Sequence, residues 1–332
     1  MPESNLRILL AARPEGAATL DHFRAVEEPR PAPRPGEALL RHRYLSLDPY
    51  MRGRMNATKS YAKPVEVGGV MEGQSVAQVV EDPTGRFRPG DWVLGGQGWQ
   101  RFSAVPVGGL HRLNPDAAPL TTHLGVLGMP GTTAWAGCTE IARPAPGETF
   151  VVSAASGAVG AVAGQIARRM GARAVGVAGG PEKCAYVRDE LGFDDCVDHR
   201  APDFPDRLAA ACPNGIDAYF ENVGGAVQRA VWPLLNDFAR IAFCGMVAEY
   251  QGDAAPGPNL GPVVRKRLNL RGFIVSDFPR AFPTWRATGA AWLRDGTLRY
   301  REDVTRGLEN APAAFLGLLA GGNFGKAVVE VT

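Results

Sequence analysis

The spacing of apolar residues changes character at about residue 128. Before that point the chain carries short β-type runs separated by Pro-Gly turns, at 37–47, 75–80 and 91–94. Beyond it, short apolar runs alternate with stretches of helical periodicity. The change predicts an irregular, mostly β domain followed by a doubly wound parallel-sheet α/β domain.

The second region can be divided into individual strands and helices. The continuous apolar run at 150–155 predicts a buried parallel strand, and the small and apolar residues at 158–170 predict a buried helix that Gly171 ends. Further strands are predicted at 174–178, 196–198, 216–221, 240–244 and 272–275, and further helices at 182–191, 282–294 and 312–320. The last apolar run, 327–331, predicts a strand that returns to the N-terminal domain.

Composition limits the classes of function. A chain of 332 residues is long enough for two domains, and its formal net charge of +2 gives no reason to expect nucleic acid or an anionic membrane as partner. No apolar stretch has the length of a bilayer span, and the acid- and proline-bearing N-terminus is unlike a secretory signal. Five scattered cysteines without a Cys-x-x-Cys pair favour a cytoplasmic location.

A glycine turn joins the first strand of the α/β region to its helix. The sequence SAASGAVG at 153–160 fits the dinucleotide pattern G-x-G-x-x-G from Ala155, with alanine for the first glycine. Gly157 would let the backbone approach a pyrophosphate, and Gly160 would let the helix pack closely on the sheet. The helix N-terminus adds N–H groups and positive partial charge. We therefore expect a dinucleotide over this turn; an ordinary tight strand–helix turn is the alternative.

The next strand ends in two glycines rather than in an acid. An NAD site usually carries Asp or Glu about 20 residues after the glycine turn, to bind the ribose hydroxyls. Here Gly179 leaves room for a 2′-phosphate, with which Lys183 can pair, and His199 and Arg200 are further candidate partners. This predicts NADPH as the cofactor. In the alternative, Glu182 binds the ribose and Lys183 is an ordinary surface lysine.

Nothing in the sequence points to a metal. Zinc sites use Cys and His ligands, yet no cysteine precedes Cys138. The four histidines of the first region, which are His22, His42, His111 and His123, have no ligand-like pairing. We expect no bound metal.

Eight segments, in order along the chain, resemble the zinc-independent branch of the medium-chain dehydrogenase/reductase superfamily. Within it they are similar to the leukotriene hydroxydehydrogenase/prostaglandin reductase and alkenal double-bond reductase group. The pair Asp198-His199 resembles bacterial NADPH-dependent curcumin/dihydrocurcumin reductases, whereas many relatives have Asp-Tyr. The segments are SLDPYMR (46–52), GMPGTTA (128–134), SAASGAVG (153–160), AGGPEK (178–183), ENVGG (221–225), CG (244–245), RGFIV (271–275) and NFGK (323–326).

The resemblance implies a fold, an assembly and a reaction. A GroES-like, mostly β catalytic domain would comprise residues 1–128 and 301–332, and a Rossmann NADPH-binding domain would comprise 129–300. The protein would be a homodimer that reduces the C=C bond of small-molecule enals and enones. Lys183 would bind the 2′-phosphate, and Phe273 and Val275 would hold the nicotinamide carboxamide. His199 stands where the wider family has tyrosine.

The predicted NADPH contacts combine these two lines of argument. Met129 and Thr133 are expected beside the nicotinamide, although a buried methionine and a helix N-cap threonine explain them equally well. The full predicted set is Met129, Thr133, Ser156, Gly157, Ala158, Val159, Gly179, Lys183, His199, Arg200, Asn222, Cys244, Gly245, Met246, Phe273, Ile274, Val275 and Asn323.

Enone reduction without metal needs a neutral donor for the oxygen that gains negative charge. Tyrosine, with an ordinary pKa of about 10, suits this role near neutral pH. Tyr250 follows a predicted strand end, and the family places its active-site tyrosine in this loop. We expect Tyr250 to be catalytic, with a packing tyrosine as the alternative. Tyr50 and Tyr61 are expected to be aromatic walls of a substrate pocket or ordinary packing residues, and Arg52 is expected to be structural.

Other functions stay open at this point. A quinone reductase of the same superfamily is the alternative enzyme, and a non-catalytic NADPH-binding redox sensor is the alternative from another class. A methyltransferase is disfavoured because the second strand is followed by a basic rather than an acidic residue. Two Pro- or Gly-bearing segments, 56–64 and 252–262, are candidate lids.

Overall fold

The computed structural model describes residues 4–96, 98–252 and 256–332, and the chain forms two compact units. Unit 1 comprises the described residues up to Leu124 with Tyr250–Gly252 and Glu302–Thr332. Unit 2 comprises Gly125–Glu249 and 256–301. The catalytic and cofactor-binding domains expected at 1–128 with 301–332 and at 129–300 stay a prediction. The candidate lid at 252–262 includes three positions, 253–255, that lie outside the described residues.

Within these residues the strands are, in chain order, β1 (Ser4–Leu10), β2 (Phe23–Pro29), β3 (Glu37–Ser46), β4 (Ser75–Glu81), β5 (Trp92–Gly95), β6 (Phe102–Pro106), β7 (His111–Leu113), β8 (Thr149–Ser153), β9 (Arg173–Ala178), β10 (Asp195–Asp198), β11 (Ile216–Glu221), β12 (Leu235–Phe243), β13 (Asn269–Gly272), β14 (Glu302–Arg306) and β15 (Lys326–Glu330).

The α-helices are α1 (Met51–Arg54), α2 (Met129–Ala136), α3 (Gly160–Arg169), α4 (Pro181–Ala185), α5 (Phe204–Ala211), α6 (Gly225–Val231), α7 (Gly261–Arg265), α8 (Ala281–Arg294) and α9 (Ala311–Leu319). π-helical turns extend α2 over Gly137–Ala142 and α4 over Tyr186–Glu190. No helix in the described part of the chain is both long and apolar enough to span a membrane.

Unit 1 is built on a mixed sheet with the order β14-β15-β3-β4-β5-β7, in which β6 also pairs with β3, and on the antiparallel pair β1-β2. The C-terminal strand β15 lies between β14 and β3, which confirms that the last strand returns to the N-terminal region. Buried Lys326 fixes this return, since its Nζ donates to the carbonyl of Leu47 and to Asp48 Oδ1, at 2.5 and 2.9 Å.

Unit 2 contains a six-stranded sheet with the order β10-β9-β8-β11-β12-β13, and every neighbouring pair is parallel. The predicted doubly wound sheet is therefore confirmed. The chain builds outward from β8 in one direction and from β11 in the other, so the strand order reverses between these two strands. Folds of this kind bind ligands outside the carboxyl ends of the strands at that reversal point.

The strand predictions failed where the strand is not apolar. The predicted strand at 272–275 is wrong, because β13 occupies Asn269–Gly272 and a 3-10 turn occupies Val275–Asp277. β13 borders the described sheet and is mostly exposed, so its sequence lacks the apolar run that marks a buried strand. The strand predicted at 240–244 begins earlier, at Leu235, because the first half of β12 is partly exposed.

Candidate functional site

The predicted glycine turn leaves β8 and enters α3. Its corner is Ala154, whose φ of +52° is a left-handed conformation that costs a non-glycine residue about 1 kcal/mol. The N–H of Gly157 donates to the carbonyl of Ala154 at 2.9 Å. A Cβ on Gly160 would lie 2.3 Å from the same oxygen, so only glycine lets α3 begin against the turn. No described side chain caps this helix, and its N-terminus is therefore suited to an anionic ligand.

A buried hydrogen-bond network joins the ends of β8 and β11, where the strand order reverses. Glu221 is fully buried, and its Oε1 accepts from the Ser153 hydroxyl at 2.9 Å and from the N–H groups of Val223 and Gly224 at 2.8 and 3.0 Å. Ser153 Oγ accepts the N–H of Asn222, and Asn222 Nδ2 donates to the Ser153 carbonyl, both at 2.8 Å. We call Ser153, Glu221 and Asn222 the switch-point network; it fixes the turn that follows β11.

The segment after β12 runs beside this network. The N–H groups of Cys244 and Gly245 donate to the carbonyl of Glu221, at 2.9 and 3.2 Å. Met246 covers Gly224, where an added Cβ would lie 3.0 Å from Met246 Cε. Burial and the charge of Glu221 raise the pKa of Cys244 to about 12, so the residue is a neutral thiol and not a nucleophile near neutral pH. The structure thus brings together Asn222, Cys244, Gly245 and Met246.

The ends of β9 and β10 bring a second set of predicted residues together. A Cβ on Gly179 would lie 2.9 Å from His199 Nε2 and 3.0 Å from Arg200 Nε. Lys183 follows in α4 and is half-buried, whereas the two residues after β10 are exposed. We call Gly179, Lys183, His199 and Arg200 the phosphate-side cluster. Because Gly179 has no side chain, His199 and Arg200 can lie against its Cα.

Asp198 holds the backbone of this cluster in place. Its Oδ1 accepts the N–H groups of Gly180 and Arg200, at 2.8 and 2.9 Å, and these bonds lower the pKa of Asp198 despite partial desolvation. Desolvation and the positive charges of Arg200 and Lys183 lower the pKa of His199, whereas the negative charge of Asp198 raises it. The cluster therefore groups the positive charges of Lys183 and Arg200 with the titratable ring of His199, and this arrangement fits a phosphate dianion.

The predicted nicotinamide residues after β13 play different parts in the fold. Phe273 is buried, and its ring lies edge-on to the rings of Phe220 and Phe278, with centroids 6.1 and 6.0 Å apart. Its side chain is therefore part of the core, and only its backbone is suited to a ligand contact. Ile274 and Val275 are half-buried in the turn that follows.

The two predicted residues of α2 contact each other. Thr133 Oγ donates to the carbonyl of Met129 at 2.8 Å. The N-cap of α2 is Gly128, so the interpretation of Thr133 as an N-cap is wrong. Met129 is half-buried rather than buried, which removes the simplest packing explanation for it.

In unit 1, Arg54 organises the two predicted pocket tyrosines. Its guanidinium carbon lies 5.3 Å from the ring centroid of Tyr50 and 4.4 Å from that of Tyr61, and its Nε donates to Glu72 at 3.1 Å. Burial, with the charges of Asp48 and Glu72, raises the pKa of Tyr50 against the opposing charge of Arg54. Tyr50 is consequently a poor proton donor, while Tyr61 remains 59% exposed.

Tyr250 also belongs to unit 1, although the residues before it belong to unit 2. It is half-buried, and its neighbour Gln251 accepts the N–H of Ala18 at 3.0 Å. Asn323, likewise in unit 1, donates through Nδ2 to the carbonyl of Gly325 at 2.7 Å. The roles predicted for Tyr250 and Asn323 stay predictions.

One of the four histidines for which the sequence shows no ligand-like pairing has a clear structural role. His42 is buried, with Nδ1 2.6 Å from Ser75 Oγ and Nε2 2.8 Å from Ser103 Oγ. Burial lowers the pKa of His42 to about 4. Across residues 4–96, 98–252 and 256–332, no group of three or more His, Cys, Asp or Glu is arranged to hold a metal ion.

The mixed sheet of unit 1 and the doubly wound sheet of unit 2 together define a medium-chain dehydrogenase/reductase. A family model described as the N-terminal domain of oxidoreductase matches residues 6–113, and one described as zinc-binding dehydrogenase matches residues 158–290. The chain belongs to the zinc-independent branch of this superfamily that includes the curcumin, alkenal and prostaglandin reductases.

Individual relatives cover almost the whole chain. NADPH-dependent curcumin reductase of Escherichia coli (strain K12) is 48% identical over 336 residues, which cover 99% of this chain and 97% of that protein. Prostaglandin reductase 1 of Rattus norvegicus is 39% identical, with 95% and 96% covered. The crystal structure of CurA in complex with NADPH from Vibrio vulnificus has a TM-score of 0.94 and 46% identity, and covers 98% of this chain and 99% of that one.

Three residues of the described structure were not singled out for these roles by sequence reasoning. Glu221 and Ser153 form the switch-point network, and Arg54 contacts both pocket tyrosines. The signal for Glu221 was present, because an acid that ends a buried apolar strand must find internal hydrogen-bond donors. No local signal distinguished Arg54 from the other arginines of its segment.

Proposed function

We propose that this chain reduces the C=C bond of α,β-unsaturated aldehydes and ketones, with NADPH as the hydride donor. The phosphate-side cluster is the observation that supports NADPH, because His199 and Arg200 lie against Gly179 and the charge of Lys183 acts on His199. The names of the relatives, which include a curcumin reductase and a 2-alkenal reductase of Nicotiana tabacum, support the substrate class.

The cofactor contacts follow from these features of unit 2. The N-terminus of α3 and the turn at Ser156, Gly157, Ala158 and Val159 would hold the pyrophosphate. The phosphate-side cluster would hold the 2′-phosphate, with Lys183 as its main cation. The switch-point network would fix Asn222 and the segment Cys244, Gly245 and Met246 against the nicotinamide riboside. NADPH, when bound, supplies the hydride that becomes bonded to the β-carbon of the substrate.

Tyr250 would stabilise the charge that develops on the substrate oxygen. Its Oη would donate a hydrogen bond to the carbonyl oxygen, which gains the negative charge of an enolate on hydride addition, and a proton from water would then complete the reduction at the α-carbon. Losing such a donor typically costs about 100-fold in rate. Tyr50 and Tyr61, held by Arg54, would offer aromatic faces to the substrate.

A screen of NADPH oxidation tests the reaction class. Enals, enones and quinones are compared at matched concentration, with Tyr250→Phe as the variant. We expect turnover of enals and enones, with about 100-fold slower turnover by Tyr250→Phe. Turnover of quinones alone would favour the quinone reductase, and NADPH binding without turnover across the panel would favour a redox sensor.

We further propose that the protein is a cytoplasmic homodimer. All five cysteines are free thiols, as a reducing compartment favours. β13 borders the described sheet of unit 2, and the nearby side chain of Val264 is 82% exposed, so this edge is suited to a second copy of the chain. Light scattering that gives the mass of a monomer at micromolar concentration would contradict the dimer.

A further inference from the structure

Arg52 is a buried cation whose described hydrogen bonds all go to neutral acceptors. Its side chain donates from Nε to Gln251 Oε1 at 3.2 Å, from one terminal nitrogen to Asn56 Oδ1 at 2.6 Å, and from the other to the carbonyl of Gly16 at 2.5 Å. The residue is only 3% exposed. Removing a charge from water is costly unless its surroundings are well arranged, so a guanidinium at this position needs a reason beyond packing.

Two of these acceptors lie on chain segments that cross each other. Gln251 Oε1 also accepts the N–H of Ala18 at 3.0 Å, so its amide oxygen is held from two sides. Gly252 has a φ of +99°, and a Cβ built on it would lie 3.0 Å from the Cα of Gly16. The segment 250–252 therefore lies against the segment 16–18, and Arg52 hydrogen-bonds to both.

These contacts explain why Tyr250–Gly252 belongs to unit 1. Glu249 before it belongs to unit 2, and the described chain from residue 256 to Arg301 does as well. A segment of three residues buries little surface of its own, so a few strong contacts must hold it in unit 1. The hydrogen bonds of Arg52 and Ala18 to Gln251 are such contacts, one residue away from Tyr250.

We propose that Arg52 is a positioning residue: through its hydrogen bond to Gln251, it holds the neighbouring Tyr250 in place. This inference rests on the proposed function, in which the hydroxyl of Tyr250 donates to the substrate oxygen. A misplacement of about 1 Å at a reacting group can cost about 100-fold in rate, so a donor on a short loop needs a rigid support. The planar guanidinium suits the task because its donors diverge to three fixed acceptors, which a lysine ammonium would not match.

A double-mutant cycle separates positioning from general structural damage. Arg52→Met keeps most of the apolar stem and is made in the wild type and in Tyr250→Phe. We expect Arg52→Met alone to lower kcat for an enal about 10- to 100-fold while the KM for NADPH changes little. In the Tyr250→Phe background the same change should lower kcat no more than about 2-fold, because the group it positions is already gone.

Variants of Gln251, the residue through which Arg52 acts, provide a second test. Gln251→Ala should reproduce the loss seen with Arg52→Met, and Gln251→Glu should restore most of the rate because its carboxylate still accepts from Arg52. Arg13→Met is the matched control, since Arg13 is another guanidinium of unit 1 and donates to the carbonyl of Met55 at 3.0 Å. It should leave kcat unchanged.

Amide hydrogen exchange of the ligand-free protein gives a readout that does not depend on turnover. Arg52→Met and Gln251→Ala should speed exchange in a peptide that covers 249–252, and Arg13→Met should not. The proposal is overturned if exchange there is unchanged, or if the losses from Arg52→Met and Tyr250→Phe multiply. If Tyr250→Phe turns over enals like the wild type, the catalytic role of Tyr250 fails first, and faster exchange would then show a purely structural clamp.

Discussion

The carboxyl edge of the unit 2 sheet presents two polar regions of opposite construction. The phosphate-side cluster at the ends of β9 and β10 is partly exposed and has positive charge around a glycine. The switch-point network at the ends of β8 and β11 is built on Glu221, a fully buried side chain whose Oε1 accepts three hydrogen bonds from neutral donors. Removing an exposed charge changes the free energy of unfolding little, whereas removing a buried acceptor leaves the donors that it satisfies without a partner.

The difference predicts which measurement each region controls. Changes in the phosphate-side cluster should alter the preference for NADPH over NADH and leave the free energy of unfolding nearly constant. Changes in the switch-point network should lower the free energy of unfolding and affect both cofactors alike. Four predictions test this division, beginning with the one that should have the largest effect.

Glu221→Ala should destabilise the protein by about 3 kcal/mol, because it leaves the buried N–H groups of Val223 and Gly224 without their acceptor, and each such orphaned donor costs about 1–3 kcal/mol. Urea unfolding followed by circular dichroism measures the change. Glu221→Gln is the control, since it keeps one oxygen acceptor of the same reach and should cost less. Wild-type stability in Glu221→Ala would show that the network has no structural role.

Lys183→Ala should raise the KM for NADPH about 10- to 100-fold, because a charged hydrogen bond to phosphate is worth about 1.5–3 kcal/mol. The KM for NADH and the unfolding midpoint should not change, since NADH lacks the 2′-phosphate. Glu182→Ala is the matched neighbour. If that variant weakens NADH binding while Lys183→Ala affects neither cofactor, Glu182 binds the ribose and the protein prefers NADH.

Two adjacent glycines in one turn, Gly179 and Gly180, should separate an effect on cofactor affinity from an effect on folding stability. Gly179→Ala should raise the KM for NADPH about 3- to 10-fold, because its Cβ would push against His199 and Arg200. Gly180 has a φ of +98° and open space around its Cβ, so Gly180→Ala should instead cost about 1–3 kcal/mol of stability through backbone strain. Thermal unfolding and the KM for NADPH are measured for both variants. If the two variants changed both quantities to the same extent, the different roles predicted for Gly179 and Gly180 would be contradicted.

The two regions also differ in how well the sequence predicted them. Lys183 and Gly179 could be predicted because they follow the end of a strand that its apolar run marks. A basic residue close to glycine can be recognised from the local sequence alone. Glu221 and Ser153 are 68 positions apart, and they meet only because β8 and β11 are neighbours at the reversal of strand order. Arg52 was expected to be structural, and its contact with Gln251, 199 positions away, is equally invisible to local patterns.

His199→Gln should produce the smallest effect, and it concerns pH. In the free protein, desolvation and the charges of Arg200 and Lys183, opposed by Asp198, lower the pKa of His199, so the ring is mostly neutral at pH 7. A bound phosphate dianion would offset those cations and raise this pKa. Binding would then take up a proton, and the affinity for NADPH should rise as pH falls from 8 to 6.

The size of this linkage is limited because His199 is exposed to solvent. We expect the affinity of the wild type to gain about 2- to 5-fold more than that of His199→Gln over the same pH range. Fluorescence titration at constant ionic strength measures both proteins, and titration of the phosphate itself cancels in the comparison. NADH is the control, since its binding should show the same pH dependence in both. Equal slopes for NADPH would remove His199 from the phosphate contacts and leave Lys183 and Arg200 as the charges that select the cofactor.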